Sequence, residues 1–387
     1  MRKIILCITA LITFMSFASC NDSDVGIFYG LSVEEKVKDY SMPNSVTADS
    51  MVKTGGYLYV AAGTIYKKKA EGGMTDWSVL NGPDGCRYTT EMALYPDGTI
   101  FIVSYDMDNV ETLLFSGDGS GTWTRVPTPC DTRIVKLRIA DDVIYLSDKS
   151  GKFYYSTDKG ASFAQDSSLP VLETSNTGVF DVVSDGSVHY LNTQYRIWKG
   201  KYNSWTDFTP KKSNGSELKD EDEIFGRVYY CSVDDRLYTG CTEGYLYAVD
   251  SPASAAATAW LESDDNTPSG IGLQGMVLLK VPVSPSSTHK MLVIGSGISG
   301  SKGYYEVHNP RTDRASHLDP DRPSSSLEVL SDYYDYTAFD LSTAPVNNFF
   351  VDMYPDGVNF DLYALTYGFG VWKNSSNGSY VRGWNRE

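Results

Sequence analysis

The side chains of this sequence that could perform catalysis are mainly carboxylates. Two carboxylates at a defined separation can hydrolyse a glycosidic bond, one as the acid and one as the nucleophile or base. The chain has 49 acidic residues, and their spacing nominates no pair. The sequence therefore leaves the catalytic residues unknown. The four histidines of the chain are His189, His289, His308 and His317. Their spacing does not match that of metal ligands, so a metal site is not predicted.

Nucleotide cofactors are not indicated either. Gly295, Gly297 and Gly300 have the Gly-x-Gly-x-x-Gly spacing of a dinucleotide-binding loop, but no helical pattern follows them. A hairpin loop explains this spacing better. The sequence also contains no phosphate-binding loop and no nucleophile elbow. We therefore expect no cofactor.

Two octapeptides combine serine, aspartate, glycine and an aromatic residue in a pattern that stabilises a turn. The first copy, Ser-x-Asp-x-Gly-x-x-aromatic, contains Ser156, Asp158, Gly160 and Phe163. The aspartate can accept backbone hydrogen bonds, the glycine can adopt a positive φ, and the aromatic ring can pack between neighbouring units. The second copy has Ser120 in place of the glycine, and its other matching residues are Ser116, Asp118 and Trp123.

These octapeptides resemble the Asp-box of bacterial-neuraminidase-type (BNR) repeats, which is a structural motif at the rim of sialidase-like propellers. Sialidases also have an Arg-Ile/Leu-Pro motif, three arginines that bind the substrate carboxylate, and a Tyr–Glu nucleophile pair. The nearest segments here begin at Arg138 and Arg196, and both lack the proline. The sequence therefore favours a non-enzymatic role, with a divergent glycoside hydrolase or lyase of sialidase-like fold as the alternative.

The same pattern of strands is repeated about seven times between Ser45 and Glu387. Each unit has short runs of β-branched and aromatic residues separated by turns such as Pro96-Asp97-Gly98. The period of roughly 42–48 residues over the first five units is typical of a four-stranded propeller blade. A single blade exposes apolar faces, so blades must pack on one another around an axis. The sequence predicts an all-β, seven-bladed β-propeller over residues 45–387, with six or eight blades as alternatives.

Two segments outside the regular units have more than one interpretation. The last blade is completed either by the chain near Trp384 or by an added strand around Met42, within a predicted anchor and linker at residues 20–44. A long insertion at residues 309–347 is either a lid or binding loop, or an ordinary surface loop.

Ligands of propellers usually bind at one mouth of the central channel, on the loops that enter the innermost strand and those that join the second and third strands. Tyrosine and arginine side chains at such a mouth suit sugar rings or extended peptides. In this sequence the candidate ligand-binding residues on those loops are Arg87, Tyr88, Arg133, Tyr195, Arg196, Arg227, Glu243 and Tyr367.

Residues 1–19 have the pattern of a signal peptide, because Arg2 and Lys3 precede an apolar run and small residues precede Cys20. The segment resembles the lipobox of bacterial lipoproteins, and the acidic residues after Cys20 resemble the surface-export tag of Bacteroidota lipoproteins. This resemblance implies an outer-membrane lipoprotein, acylated at Cys20, that faces the periplasm or the cell surface. An ordinary signal peptide cut near Ala18 is the alternative.

Four cysteines follow Cys20. Cys86 and Cys130 occupy equivalent positions in neighbouring units and are candidates for a disulfide, which an exported compartment permits. Cys231 and Cys241 flank a hairpin turn, predicted as the two residues Asp234-Asp235, and are expected on opposite faces of the sheet, where they cannot be bridged. Free, buried thiols are the expectation for all four cysteines, and the Cys86–Cys130 bridge is the alternative.

The net charge of the chain is −16 at pH 7. Such a chain repels phosphate backbones and anionic lipid surfaces, so nucleic-acid binding is disfavoured. No apolar run after the signal segment is long enough to span a membrane, so attachment is expected through the lipid anchor alone. The sequence therefore predicts a monomeric binding or scaffold module for a glycan or a protein at the cell envelope.

Overall fold

The computed structural model describes the compact unit Ser41–Glu387 with several gaps. The described residues are 42–43, 46–72, 76–108, 111–169, 181–193, 195–211, 225–232, 234–241, 246–262, 275–284, 287–295, 304–308, 327–328, 344–355, 359–375 and 384–387. The predicted signal peptide, Cys20, Glu243 and most of the 309–347 insertion lie outside them. Within these ranges, no helix has the length and apolar character needed to cross a membrane.

The described residues form seven antiparallel sheets of four strands, and in each sheet the strands pair in chain order. The first three sheets consist of β1 (Ser50–Thr54), β2 (Tyr57–Ala62), β3 (Thr64–Lys69) and β4 (Ser78–Leu80); β5 (Cys86–Leu94), β6 (Ile100–Asp106), β7 (Thr112–Gly117) and β8 (Trp123–Val126); and β9 (Ile134–Ala140), β10 (Val143–Asp148), β11 (Phe153–Ser156) and β12 (Ala164–Gln165). The next two consist of β13 (Asp181–Ser184), β14 (His189–Asn192), β15 (Ile197–Lys201) and β16 (Ser204–Asp207); and β17 (Tyr229–Cys231), β18 (Arg236–Gly240), β19 (Leu246–Asp250) and β20 (Leu261–Glu262). The last two consist of β21 (Met276–Ser284), β22 (Ser287–Gly295), β23 (Tyr304–His308) and β24 (Leu327–Glu328); and β25 (Val346–Met353), β26 (Phe360–Thr366), β27 (Val371–Ser375) and β28 (Asn385–Arg386). A 3₁₀ helix, Ala257–Ala259, precedes β20.

The first strands of the sheets form a closed circuit around an axis. β1, β5, β9, β13, β17, β21 and β25 each contact the next, and β25 contacts β1. One apolar cluster lies between each pair of neighbouring sheets, so both faces of every sheet are covered. This arrangement confirms the all-β propeller that the strand repeat predicts.

The last sheet is joined to the first by buried polar contacts. β28 pairs with β27 and completes the last sheet, as the first of the two predicted alternatives requires. Lys68 Nζ forms an ion pair with Glu387 Oε2, and both side chains are fully buried. Trp77 Nε1 donates a hydrogen bond to the same Glu387 oxygen at 2.8 Å. Met42 is buried in the cluster between these two sheets and is not part of a strand.

Tryptophans near the start of the outer strands fasten one sheet to the sheet before it. In three cases the indole N–H donates to a residue that directly follows the outer strand of the preceding sheet. These bonds run from Trp123 to Asn81 O at 2.8 Å, from Trp205 to Asp166 Oδ2 at 2.8 Å, and from Trp260 to Phe208 O at 2.7 Å. The repeated tryptophans of the sequence therefore act as contacts between sheets.

The octapeptide from Ser156 to Phe163 has the local geometry that its residue types predict. Asp158 Oδ1 accepts hydrogen bonds from Ser162 N at 2.9 Å and from Ser156 Oγ at 2.7 Å. The Ser162 hydrogen bonds, with that from Ser156, lower the pKa of Asp158 to about 2. Gly160 has φ +82°, and Phe163 packs on the cluster between the second and third sheets. In the second octapeptide, Asp118 likewise accepts a backbone hydrogen bond, from Ser120.

The structure decides three points that the sequence left open or predicted differently. The 309–347 insertion is not entirely a loop, because β24 lies within it and forms the outer strand of the sixth sheet. Cys86 and Cys130 are free thiols rather than a disulfide, since they pack in clusters on opposite faces of the second sheet. Cys231 pairs with Arg236, so the hairpin turn is longer than two residues.

Candidate ligand-binding mouth

A pocket of about 560 Å³ opens at one end of the channel, where the chain enters the innermost strands. It is formed by the segments that lead into β1 and β9, the start of β5, the ends of β2 and β6, and the turn after β26. We call it the mouth pocket, and its charged and aromatic lining residues are Asp49, Tyr88, Tyr105, Arg133 and Tyr367.

Three residues predicted to bind ligand are brought together here from distant parts of the chain. Tyr88, Arg133 and Tyr367 all line the mouth pocket. Tyr88 is 41% exposed and Tyr367 is 63% exposed, which is unusual for such large rings. Arg87 lies over the Tyr88 ring at 5.0 Å from its centroid, and Arg133 lies over the Tyr105 ring at 5.4 Å. The rim of the pocket therefore presents paired arginine and tyrosine side chains.

Irregular pairing in β5 shapes this part of the mouth. Its register with β6 shifts twice, between Cys86 and Tyr88 and between Thr89 and Glu91. The Thr89 N–H instead donates to Gly63 O of the first sheet at 3.0 Å. Bulges of this kind redirect side chains and recur next to functional sites.

A charged network lies in the channel next to the pocket. Glu91 Oε1 contacts Lys136 Nζ at 2.8 Å, and Glu91 Oε2 contacts Arg138 Nη1 at 2.6 Å. Arg138 Nε also contacts Asp181 Oδ1 at 2.8 Å. Asp49, which lines the mouth pocket, interacts electrostatically with Lys136, Arg138 and Glu91. The pocket and the network are therefore electrostatically coupled through Asp49.

The two carboxyl groups nearest the mouth have opposite pKa shifts. Burial raises the pKa of Glu91, but the cations of Lys136 and Arg138 outweigh it and hold the pKa at about 2. Burial raises the pKa of Asp49, and this effect exceeds the opposing effect of Lys136. Opposed shifts of this kind can mark an acid and a base. Glu91, however, is only 4% exposed, and both of its oxygens are bound by cations, so it is not placed to act on a substrate.

The remaining predicted residues lie elsewhere. Tyr195 and Arg196 lie between β14 and β15 of the fourth sheet and do not line the mouth pocket, and Arg196 pairs with Asp207 at 3.3 Å. Arg227 is only 7% exposed; it does not line the mouth pocket and instead belongs to the charged network. Within the described ranges, no group of three or more histidine, cysteine or acidic side chains is arranged to hold a metal ion.

Sequence reasoning missed most of the charged network. Lys136 and Arg138 lie two residues apart in β9, so they lie on the same face of the strand. Charged residues at alternate positions of an otherwise apolar strand were the available signal. Glu91 gave no comparable signal, because the bulges in β5 interrupt the alternation of buried and exposed side chains along that strand.

Comparison with known proteins identifies the fold and no family. No protein-family model and no curated protein matches the chain. The GH74 xyloglucanase of Xanthomonas campestris aligns with a TM-score of 0.60 and 13% identity, over 90% of this chain and 55% of the enzyme. YCF48 from Cyanidioschyzon merolae aligns with a TM-score of 0.52 and 11% identity, over 86% and 96% of the two chains.

A structure of YCF48 bound to D1 peptide gives a TM-score of 0.53 at 11% identity, over 85% of this chain and 91% of that one. The WD40 β-propeller domain of Doa1 gives 0.52 at 8% identity, over 87% and 95%. At such low identities the likeness shows the β-propeller fold alone.

Proposed function

We propose that this protein is a seven-bladed β-propeller that binds an extended peptide segment of a partner protein in the mouth pocket. The seven sheets and the seven clusters between them support the blade number. The observation that carries the binding proposal is the convergence of Tyr88, Tyr367 and Arg133 on one open pocket. Exposed tyrosine rings can pack on peptide side chains, and an arginine can donate to peptide carbonyl groups.

Two considerations favour a peptide over a substrate for hydrolysis. Among the described residues that line the mouth pocket, Asp49 is the only carboxylate, whereas glycoside hydrolysis requires two that reach the substrate. In addition, one of the structural neighbours, YCF48, has a structure with a bound D1 peptide. A divergent glycoside hydrolase or lyase is therefore the second candidate.

Replacement of the exposed tyrosines should abolish most of the binding. Peptides would be selected from a phage-displayed random library on the wild-type protein, and their affinities measured by fluorescence anisotropy. Tyr88→Ala and Tyr367→Ala are each expected to weaken binding by about tenfold or more, because central aromatic residues contribute most of the affinity of such sites.

Met353→Ala provides the control, because Met353 is an exposed apolar residue at the opposite end of the innermost strand β25. Its affinity for the selected peptides should equal that of the wild type. Failure to select any peptide would refute the proposal. Turnover of fluorogenic glycosides that Asp49→Asn abolishes would establish the hydrolase instead.

We further propose that the protein is a BNR-type lipoprotein of the Bacteroidota kind, held at the outer membrane by a lipid on Cys20. The small residues before Cys20 and the acidic residues after it support this assignment. A labelled fatty acid fed to cells that express the protein should be incorporated into the wild type and not into Cys20→Ser. Equal labelling of both proteins would contradict the anchor.

A further inference from the structure

Arg227 is a buried cation that leads into β17 and is held in a fixed position. Its carbonyl oxygen accepts a hydrogen bond from Thr239 Oγ1 at 3.5 Å. The preceding residue, Gly226, donates to Gly240 O at 2.8 Å and accepts from Asn192 Nδ2 at 2.7 Å. The backbone around Arg227 is therefore fixed by its own sheet and by the fourth sheet.

Glu91, Lys136, Arg138 and Asp181 each have an oppositely charged partner in direct contact, whereas the guanidinium of Arg227 has none among the described residues. Its Nε has no hydrogen-bond partner among the described residues, and none of the ion pairs within those residues includes it. Burial, and then repulsion from Arg138, lowers the pKa of Arg227 despite the nearby Asp181, Glu91 and Asp49. A buried cation without a direct partner is strongly unfavourable.

The network around Arg227 is balanced in charge and partly open to solvent. It contains three cations, Lys136, Arg138 and Arg227, and three acids, Asp49, Glu91 and Asp181. Lys136, Arg138 and Asp181 are partly exposed in the channel, so a small solute can approach them. Glu91 and Asp181 both bind Arg138, which leaves Arg227 as the cation of the network without an ion pair among the described residues.

We propose that the central channel binds the carboxylate group of a ligand beside Arg227. A guanidinium presents parallel N–H donors that match the two oxygens of a carboxylate, and the pair is strongest where water is excluded. A singly charged group supplies the one missing partner, whereas a phosphate would add a second negative charge next to three acids. This site does not depend on the Tyr88 and Tyr367 contacts of the mouth pocket.

The test compares wild type with Arg227→Met, using sodium acetate as the carboxylate probe and sodium chloride at equal ionic strength as the reference. At about ten times its dissociation constant, acetate should raise the Tm of the wild type by about 2 °C relative to chloride. Arg227→Met should show no such rise, and in chloride its Tm should equal or exceed that of the wild type because an uncompensated charge is removed. Arg133→Met, at the rim, should keep the acetate effect.

Line broadening of ¹³C-acetate in NMR gives a second readout that does not depend on stability. Broadening is expected with the wild type and Arg133→Met, and its absence is expected with Arg227→Met. Equal acetate effects in wild type and Arg227→Met would overturn the proposal, as would equal effects of acetate and chloride on the wild type. A lower Tm of Arg227→Met in chloride would also overturn it, by showing that the protein itself pairs with Arg227. Because the rim variants test peptide binding separately, either proposal can fail without the other.

Discussion

Glu91→Gln is expected to lower the free energy of unfolding by about 3–5 kcal/mol, the usual effect of removing one partner of a buried ion pair. Glu91 is almost fully buried and holds Lys136 at 2.8 Å and Arg138 at 2.6 Å. Glutamine keeps the shape of the side chain but removes the charge, which takes away the carboxylate that Lys136 contacts and leaves Asp181 as the carboxylate paired with Arg138 among the described residues. Urea denaturation at pH 7 measures the difference.

Glu111→Gln is the matched control, since Glu111 is exposed and its replacement should change stability by no more than about 0.5 kcal/mol. The pH dependence supplies a further check. Because the folded protein lowers the pKa of Glu91 from 4.5 to about 2, its contribution is full above pH 4.5 and is lost as the pH falls towards 2. The stability gap between wild type and Glu91→Gln should therefore shrink over that window. If the stability difference between wild type and Glu91→Gln stayed constant from pH 7 to pH 2, ionised Glu91 would not be stabilised by Lys136 and Arg138.

Lys68→Met is expected to destabilise the protein by a similar amount, about 3–5 kcal/mol. Lys68 and Glu387 form a fully buried ion pair between the first and last sheets, and the same carboxylate accepts the Trp77 indole hydrogen bond. Removal of the lysine leaves a buried carboxylate with the indole N–H as its only described side-chain partner. Chemical denaturation, followed by tryptophan fluorescence, measures the loss.

Lys69→Met is the control for this second prediction, because Lys69 is the adjacent residue in β3 and its side chain is exposed. The double variant Lys68→Met with Glu387→Met should recover part of the stability, since apolar residues can replace both members of a buried pair. If Lys68→Met were as stable as Lys69→Met, the Lys68–Glu387 ion pair would not stabilise the contact between the first and last sheets.

Local residue patterns account for the elements that the sequence predicted well. The strands follow from runs of β-branched and aromatic residues, and the octapeptide at Ser156 follows from hydrogen bonds between residues close in the chain. Tyr88, Arg133 and Tyr367 were nominated because their loops follow from the order of strands within a unit. These inferences depend on short-range interactions, which a sequence specifies directly.

The features that the sequence could not decide depend on the relative positions of whole sheets. The Cys86–Cys130 disulfide does not form, because similar positions in neighbouring units face different clusters. The sequence places Arg227 among the candidate ligand-binding residues of the mouth, and the structure buries it with charges from other sheets.

Residue patterns close in the chain are enough to specify repeated four-stranded units and the positions of the turns between their strands. The packing of the sheets around the axis brings together five charged residues in one channel, namely Asp49, Glu91, Lys136, Asp181 and Arg227. The same packing places Glu387 where it joins the last sheet to the first. The physical reason is that the energy of a buried charge depends on which other charges surround it. In a closed ring of sheets, those partners come from units far apart in the chain.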